Sequence, residues 1–298
     1  MKAFYDLAAP AKLNLFLHVV GRRPDGHHLL QSVFVLIDWC DTLHLERRTD
    51  GKLSRRDLSS RLPEDDLTLK AARLLQAESG TTLGVDISIE KRIPERAGMG
   101  GGSSDAATTL LALNRLWALD WPRARLLALA ARLGADVPFF VGGRNAFVEG
   151  IGEVLTPVAL PPRTYAVAKP AASLSTAQVF ASASLVRDTD PVILSGFLAD
   201  AAKYAAKPAS HFGRNDLQPV AEAQCPEVAR TAAWLGERFG NSRMTGSGSA
   251  VFAVVGEESR KAGAGDQPVA TWPEDLPSGW VGRMCRSLEA HPLVGWAD

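Results

Sequence analysis

A glycine-rich run followed by two serines carries the most distinctive chemistry in the sequence. The run covers residues 98–104 and reads Gly-Met-Gly-Gly-Gly-Ser-Ser. Glycine reaches backbone conformations that other residues avoid, and it lets a ligand approach the main chain closely. The unpaired N–H groups and the dipole at a helix start favour an anion such as phosphate, and a serine there can cap the helix. The run therefore predicts a phosphate-binding loop.

The segments on either side of this run have the patterns of a strand and a helix. Residues 85–89 alternate apolar and polar side chains, which is typical of a half-buried strand. Apolar residues at helical spacing follow the run, namely Ala106, Leu110, Leu113 and Trp117. An isolated glycine cluster would favour a flexible turn capped by serine. The order strand, glycine-rich loop, helix favours a phosphate site instead.

Two widespread phosphate-binding motifs do not match this loop. The loop lacks the Gly-Lys-Ser/Thr ending of the Walker A motif. Its glycines also lack the G-x-G-x-x-G spacing of dinucleotide-binding folds. The sequence therefore indicates another class of phosphate site.

Two charged residues, Lys12 and Asp136, lie in patterned segments outside the loop. Strand alternation over residues 11–20 places Lys12 on the same face as Asn14, and leucines occupy the opposite face. Taken alone, each charged residue is predicted to lie at the surface, Asp136 at a turn or helix end before Pro138. Asp136 becomes a catalytic candidate only if the chain is a kinase, because a kinase needs a carboxylate near its acceptor hydroxyl.

A pair of adjacent histidines, His27 and His28, follows the turn signal Pro24-Asp25-Gly26. Adjacent histidines could bind a metal ion only with further ligands, and the sequence shows no matching carboxylate cluster. We therefore reject a metal site at this position, and no metal ligands are assigned elsewhere.

The composition predicts an ordinary globular protein. The chain has 298 residues, which favours two domains, and 46% of them are hydrophobic. Lysine plus arginine equals aspartate plus glutamate at 33 each, which argues against a nucleic-acid or membrane-surface binder. Three dispersed cysteines argue against a disulfide framework or a zinc site. With no signal peptide or membrane-spanning stretch recognised, we expect a bacterial-type cytoplasmic protein.

The first half of the chain reads as alternating strands and helices. Strands are predicted at residues 29–37, 42–46 and 147–152, helices at 66–77 and 124–133, and a polar, mobile excursion at 47–63. Three prolines between residues 157 and 162 predict a domain boundary. The expected domains are residues 1–156 and residues 157–298.

The second half contains another glycine stretch. Helices are predicted at residues 177–186, 215–224 and 228–239, whereas 188–211 and 259–279 give little signal. Gly246 and Gly248 precede a predicted strand at 251–255. This stretch is either a simple turn into that strand or a second backbone surface that packs against the first loop or the substrate.

Several segments in a fixed order resemble the GHMP kinases, named for galactokinase, homoserine, mevalonate and phosphomevalonate kinases. Within them the chain resembles the family that phosphorylates 4-diphosphocytidyl-2-C-methyl-D-erythritol in the non-mevalonate route to isoprenoid precursors. The matching segments are residues 10–17, 25–29, 94–107, 133–138, 147–152, 215–217 and 243–252. The loop alone identifies the superfamily, and the ordered set is specific to this family.

The resemblance implies an α+β, two-domain GHMP kinase fold with a ribosomal-protein-S5-like N-terminal domain and a ferredoxin-like C-terminal domain. It implies ATP and Mg²⁺ as cofactors and a cytidine diphosphate methylerythritol as the small-molecule substrate. It also implies that residues 1–156 bind ATP and that residues 157–298 bind substrate. Asp136 would accept the proton of the substrate 2-hydroxyl or orient that hydroxyl. Lys12 would keep the carboxylate ionised and stabilise the transferring charge.

The resemblance also implies two sets of binding residues. The residues expected to bind ATP are Pro94, Ala97, Gly98, Met99, Gly100, Gly101, Gly102, Ser103, Ser104, Asp66 and Lys91. The residues expected to bind substrate are Asn14, His27, His28, Phe180, Gly246 and Ser247.

The residue types at positions 27, 66 and 105 lead to specific expectations. The family usually has tyrosine at position 27, so we expect His27 and Phe180 to enclose the cytosine ring, with His28 hydrogen-bonding its edge. The family usually has asparagine near the adenine where this chain has Asp66. Asp105 suits the helix dipole but would repel phosphate, so it is expected to point away from the nucleotide.

Two other functions are compatible with parts of the pattern. A GHMP-type kinase acting on homoserine or mevalonate is disfavoured by the stretches at residues 10–14 and 25–28. A non-catalytic nucleotide-binding regulator is disfavoured because both Lys12 and Asp136 are present. The oligomeric state is left open between monomer and homodimer.

Overall fold

The structure is a computed structural model that describes residues 2–198, 212–255 and 272–298. The strands are β1 Ala3–Arg22, β2 His28–Arg48, β3 Leu53–Asp57, β4 Gly84–Glu90, β5 Ala146–Glu149, β6 Val154–Pro157, β7 Thr164–Lys169, β8 Arg243–Met244, β9 Val251–Val254 and β10 Val281–Leu288. The helices are α1 Leu67–Ser79, α2 Gly101–Leu116, α3 Arg123–Ala130, α4 Val137–Gly142, α5 Thr176–Ala181, α6 Gln218–Gln224 and α7 Pro226–Phe239.

The long strand β2 organises the sheet. Along one edge it pairs antiparallel with β1, and along the other it meets β5, β10 and β4 in succession. Strand β10 also pairs with β7, so the sheet runs on as β3-β4-β2-β10-β7-β9-β8. Strands from both halves of the chain therefore share one sheet.

Two principal cores hold the helices to this sheet. Helix α2 is almost wholly buried, and the residues predicted to form its apolar stripe, among them Ala106, Leu110 and Leu113, are fully buried. It packs against α1, α4, β1 and β2, whereas α6 and α7 cover β7 and β9 in a second cluster. The glycine-rich loop therefore leads into a deeply buried helix, which gives the phosphate site a rigid base.

Several predicted elements differ from the structure. The two strands predicted at residues 29–37 and 42–46 form the single strand β2, because buried Asp41 is satisfied by donors in the segment directly after β4. The predicted mobile excursion contains β3, where Arg55 pairs with Asp57 at 2.7 Å and Asp66 at 2.5 Å. Strand β1 begins at Ala3 and is buried on both faces rather than one.

Two of the three helices predicted in the second half are shorter than expected, whereas α7 begins at Pro226, two residues earlier than predicted. Ser175 caps α5, which ends at Ala181, and α6 begins at Gln218. The expectations for residues 188–211 and 259–279 fall partly outside the described residues.

The last residues of the chain return to the first half. Arg123 donates its backbone N–H to Asp298 O at 2.6 Å, and Phe4 contacts Trp296 with 4.6 Å between ring centroids. The domain limits at residues 156 and 157 stay a prediction, and β10 and the tail lie against the first half.

Cys40, Cys225 and Cys285 are free thiols. Among the described residues, no helix combines the length and apolar character needed to cross a bilayer.

Candidate active site

Strand β1 presents Lys12 and Asn14 on one face, as alternation predicts. Lys12 Nζ donates to Asn14 Oδ1 at 2.5 Å, and the two residues are only 3% and 1% exposed. The expectation for an isolated lysine, a surface position, is therefore wrong here. Asn14 Nδ2 donates in turn to Ser32 Oγ on β2, which fixes the amide orientation.

The ammonium of Lys12 lies 3.8 Å from Asp136 Oδ2 and 4.6 Å from the centre of the Phe34 ring. Burial lowers the pKa of Lys12, and the nearby Asp136 carboxylate acts in the opposite direction. The structure thus brings together the two residues chosen as catalytic candidates.

Asp136 occupies the N-cap position of α4 but makes no capping hydrogen bond. Pro138 lies in the first turn of α4, and Phe139 and Phe140 anchor the helix in the core. The Asp136 side chain is 32% exposed, so its carboxylate is both beside Lys12 and open to solvent. A carboxylate in this position can reach a bound hydroxyl.

The glycines of the loop have different structural roles. Gly98 and Gly100 have φ of 73° and 72°, in the left-handed region that favours glycine. A Cβ at Gly98 would lie 2.2 Å from Thr245 O, and one at Gly100 would lie 3.0 Å from the Phe140 ring. At Gly101 a Cβ would press on Ile93 at 3.2 Å, whereas at Gly102 the nearest atom is Leu67 Cδ1 at 3.8 Å.

A buried cluster of charges lies beside the loop. Lys91 Nζ contacts the carboxylates of both Asp41 and Asp105, and all three side chains are nearly inaccessible to solvent. Burial raises the pKa of Asp105, and Lys91 opposes that shift. Asp105 is therefore paired with Lys91, although it also lines the smaller cavity beside the loop, so its expected orientation away from the nucleotide stays a prediction. The Lys91 ammonium, expected to bind ATP, is engaged in this cluster.

Asp66 has a structural role at the start of α1. Its carboxylate accepts from the backbone N–H of Thr68 and Leu69, which caps the helix, and it pairs with Arg55. An asparagine could keep the cap but not the ion pair. Asp66 nevertheless lines the cavity that the loop forms.

Two cavities meet at the glycine-rich loop. The smaller, about 380 Å³, is lined by residues 93–103 together with Leu62, Pro63, Asp66, Leu67, Lys91 and Asp105. The larger, about 660 Å³, is lined by Lys12, Asn14 and Asp136 and extends to His27, His28 and Phe180. Gly98, Gly100 and Ser103 line both cavities. A molecule in one cavity would therefore face a molecule in the other across the loop.

The second glycine stretch packs against the first, which was one of its two sequence interpretations. Ser249 and Ala250 donate their N–H groups to Arg96 O and Ala97 O, each at 3.2 Å. Gly246 lines the larger cavity, and so does Ser247, whose hydroxyl lies 2.6 Å from that of Thr176.

Thr245 was missed by the sequence analysis. Its Oγ1 accepts from the Asn14 N–H at 3.0 Å, and its single proton reaches Asn14 Oδ1 at 3.2 Å or Gly98 O at 3.4 Å. The hydroxyl thus joins β1, the first loop and the second stretch. A threonine beside Gly246 gave no separate signal, because its partners are remote in sequence.

At the far end of the larger cavity, the ring that contacts Phe180 is that of His28. The two ring centroids are 5.0 Å apart, with 36° between the planes. His27 is exposed, and its Nδ1 lies 3.1 Å from Asp25 Oδ1. The expected arrangement of His27 opposite Phe180 therefore differs from the contacts present.

Arg187 was also missed. Its Nε donates to His28 Nε2 at 3.0 Å, and 159 positions separate the two residues. Nothing near Arg187 in the sequence predicts such a contact.

Comparisons with known proteins agree with this architecture. The family described as GHMP kinases N terminal domain matches residues 66–144, and GHMP kinases C terminal matches residues 193–271. A 4-diphosphocytidyl-2-C-methyl-D-erythritol kinase from Methylibium petroleiphilum is 60% identical, covering 100% of this chain and 99% of the relative. One from Variovorax paradoxus is 55% identical and covers 100% of both chains.

Solved structures of GHMP-type kinases also resemble this chain. A crystal structure of 4-(cytidine 5'-diphospho)-2C-methyl-D-erythritol kinase superposes with a TM-score of 0.78 at 34% identity, covering 95% of this chain and 98% of the other. Homoserine kinase from Cytophaga hutchinsonii has a TM-score of 0.67 at 16% identity, covering 98% and 96%, which shows a shared fold. The predicted α+β GHMP kinase fold is confirmed. Full-length identity of this degree establishes that the chain belongs to the 4-diphosphocytidyl-2-C-methyl-D-erythritol kinase family of the GHMP kinases.

Proposed function

We propose that the protein transfers the γ-phosphoryl group of ATP to the 2-hydroxyl of 4-diphosphocytidyl-2-C-methyl-D-erythritol. The observation that carries the proposal is the Lys12–Asp136 pair, which lines the larger cavity where it meets the smaller one at the loop. Phosphoryl transfer needs little covalent chemistry from the protein, so catalysis depends on positioning and electrostatics.

Asp136 accepts the proton of the attacking hydroxyl or orients that hydroxyl. Its partly exposed carboxylate makes no capping bond, which leaves its oxygens available. Lys12, buried and held by Asn14, supplies a fixed positive charge for the transferring group. Asn14 is fixed on three sides, by Lys12, Ser32 and Thr245, and contributes to positioning the substrate.

ATP occupies the smaller cavity, with its phosphates on the loop. The backbone N–H groups at the start of α2 face the phosphates, since Gly100 and Gly101 begin the helix there. Ala97, Met99 and Pro94 form the neighbouring wall. In this proposal Lys91 acts by holding the loop through Asp41 and Asp105 rather than by touching phosphate.

Mg²⁺ bound with ATP supplies positive charge that offsets the charge of the phosphates. Hydroxyl and carboxylate oxygens suit this ion, which ordinarily keeps waters and phosphate oxygens as its other ligands. Ser103, which lines both cavities, and Asp136 are the residues in place to hold it. No group of three or more histidine, cysteine or acidic residues forms a separate metal site within the described ranges.

The cytidine diphosphate substrate occupies the larger cavity. Its methylerythritol hydroxyl lies toward Asp136, and its base lies toward His27, His28 and Phe180, which offer flat faces for stacking. Gly246 and Ser247 line the wall between these ends. We propose the cytoplasm as the compartment, in keeping with the free thiols.

A coupled assay of ADP release with the purified full chain tests the proposal. The cytidine diphosphate methylerythritol should support turnover, whereas homoserine and mevalonate should not. Turnover with homoserine or mevalonate alone would move the protein to another GHMP kinase activity. ATP binding without turnover on any of the three would favour a nucleotide-binding regulator.

A further inference from the structure

The guanidinium of Arg187 is fixed by carbonyl groups around the end of α5. Its Nη1 donates to Leu185 O at 2.9 Å, and its Nη2 donates to Phe180 O at 3.1 Å and Ser182 O at 2.7 Å. The remaining Nε donates to His28 Nε2 at 3.0 Å. Arg187 thus binds both the imidazole of His28 and the backbone of Phe180, whose ring packs on that imidazole.

This contact determines which nitrogen of His28 carries the proton. Arginine is a donor only and stays charged, so His28 Nε2 must accept. The imidazole is then neutral, with its proton on Nδ1. Burial lowers the pKa of His28, and the positive charges of Arg187 and Arg22 and the neighbouring His27 act in the same direction. Within the described part of the chain, no hydrogen bond engages Nδ1, and His28 lines the larger cavity.

We propose that Arg187 is a positioning residue that makes His28 a hydrogen-bond donor toward the cavity and thereby selects cytosine over uracil. This inference rests on the proposed function. Cytosine presents an unprotonated ring N3, which accepts from His28 Nδ1–H. Uracil carries a proton at N3, so two donors would face each other and neither would be satisfied.

Arg22 provides a matched control for the electrostatic effect. It lines the same cavity and its positive charge also acts on His28, but its Nε donates to Gly26 O at 3.1 Å rather than to the imidazole. An Arg22→Met variant removes a nearby cation and leaves the contact at Nε2 intact.

The test compares kcat/KM for the cytidine and uridine diphosphate forms of the substrate. Wild type should prefer the cytidine form, and Arg187→Met should lower the ratio by about tenfold or more, because His28 is free to exchange tautomers. Arg187→Lys, which restores a cationic donor, should recover part of the ratio. Arg22→Met should keep the ratio within about twofold of wild type, even where both rates fall together.

A folded Arg187→Met variant with the wild-type ratio would overturn the inference and leave the proposed function standing. A wild-type protein inactive on the cytidine compound would refute the proposed function itself. If Arg187→Met lowers kcat/KM for both forms by the same factor, Arg187 has only a general structural role, which would contradict the inference.

Nitrogen-15 NMR of the histidine side chains tests the tautomer without any variant. In wild type, His28 should show a protonated Nδ1 and an unprotonated Nε2, with its signals assigned through His28→Gln. A wild-type His28 protonated at Nε2 would overturn the inference whatever the kinetics show.

Discussion

At the scale of single residues, buried polar groups in this protein are held by partners from distant parts of the chain. Asp41 is fully buried, accepts from the N–H groups of Arg92 and Ile93, and contacts Lys91. His291 is almost as inaccessible. Its Nε2 lies 3.3 Å from the hydroxyl of Thr108, 183 positions away, and its Nδ1 accepts from the N–H of Leu293 at 3.0 Å. Burial of such polar groups is stable only in a folded structure that supplies their hydrogen-bond partners.

His291 should make the protein less stable in acid. Burial, aided by the charge of Arg123, lowers its pKa to about 3, whereas an unfolded histidine titrates near 6.5. Between those values the unfolded state binds the extra proton, so the free energy of unfolding falls as pH falls through this window. At pH 5 the loss from this group is about 2 kcal/mol relative to neutral pH.

Urea unfolding of wild type and His291→Asn at pH 7.5 and pH 5 measures this contribution. Asparagine keeps an acceptor for Leu293 but does not titrate, so the variant should lose less stability on acidification. Equal losses in the two proteins would show that His291 is not held neutral.

At the scale of elements, the phosphate loop was predictable because its signals are local. The strand pattern, the glycines and the helix pattern occur within residues 85–117, and the structure has β4, the loop and α2 there. The continuity of β2 was not predictable, because Asp38 and Asp41 interrupt its apolar pattern. Their partners come from β10 and from the segment after β4, both remote in sequence. Local propensity cannot reveal a partner that folding supplies from elsewhere.

The loop glycines should respond differently to alanine. Gly98→Ala introduces a Cβ at a positive φ, 2.2 Å from Thr245 O. The substitution should lower the free energy of unfolding by about 2 kcal/mol or more, and it should also weaken ATP binding. Gly102→Ala meets only Leu67 at 3.8 Å and should melt within a degree or two of wild type. Thermal melts and calorimetric ATP titrations of both variants provide the check. A Gly98→Ala protein with wild-type melting and affinity would refute the packing argument.

At the scale of the whole molecule, the second half of the chain completes a site that the first half begins. The side chain of Asn215 donates to Met244 O and Gly246 O. The residues on either side of Asn215, 214 and 216, form backbone hydrogen bonds with Leu17 on β1. The candidate site could be predicted from the resemblance as far as Lys12, Asn14 and Asp136. Thr245 and Arg187 could not, because their roles depend on contacts across the sequence.

Thr245 offers a test of this long-range coupling. Thr245→Val keeps the shape but leaves the buried Asn14 N–H without its partner, which typically costs about 1–3 kcal/mol. We expect kcat to fall by about tenfold and the KM for ATP to change less, because Asn14 and Lys12 lose their fixed positions. Thr245→Ser should retain most of the activity. A fully active, fully stable Thr245→Val protein would show that the hydroxyl is dispensable.

Turnover of the Asp136→Asn and Lys12→Met variants shows whether these two residues carry out the chemistry where the two cavities meet. Lys70→Met, which removes a half-exposed lysine paired with Asp65, is the matched control. With saturating ATP and cytidine substrate, each site variant should lose about 10²-fold or more in kcat, with much smaller changes in KM. The control should match wild type. Near-normal turnover in either site variant would show that the substituted residue is not part of the catalytic mechanism.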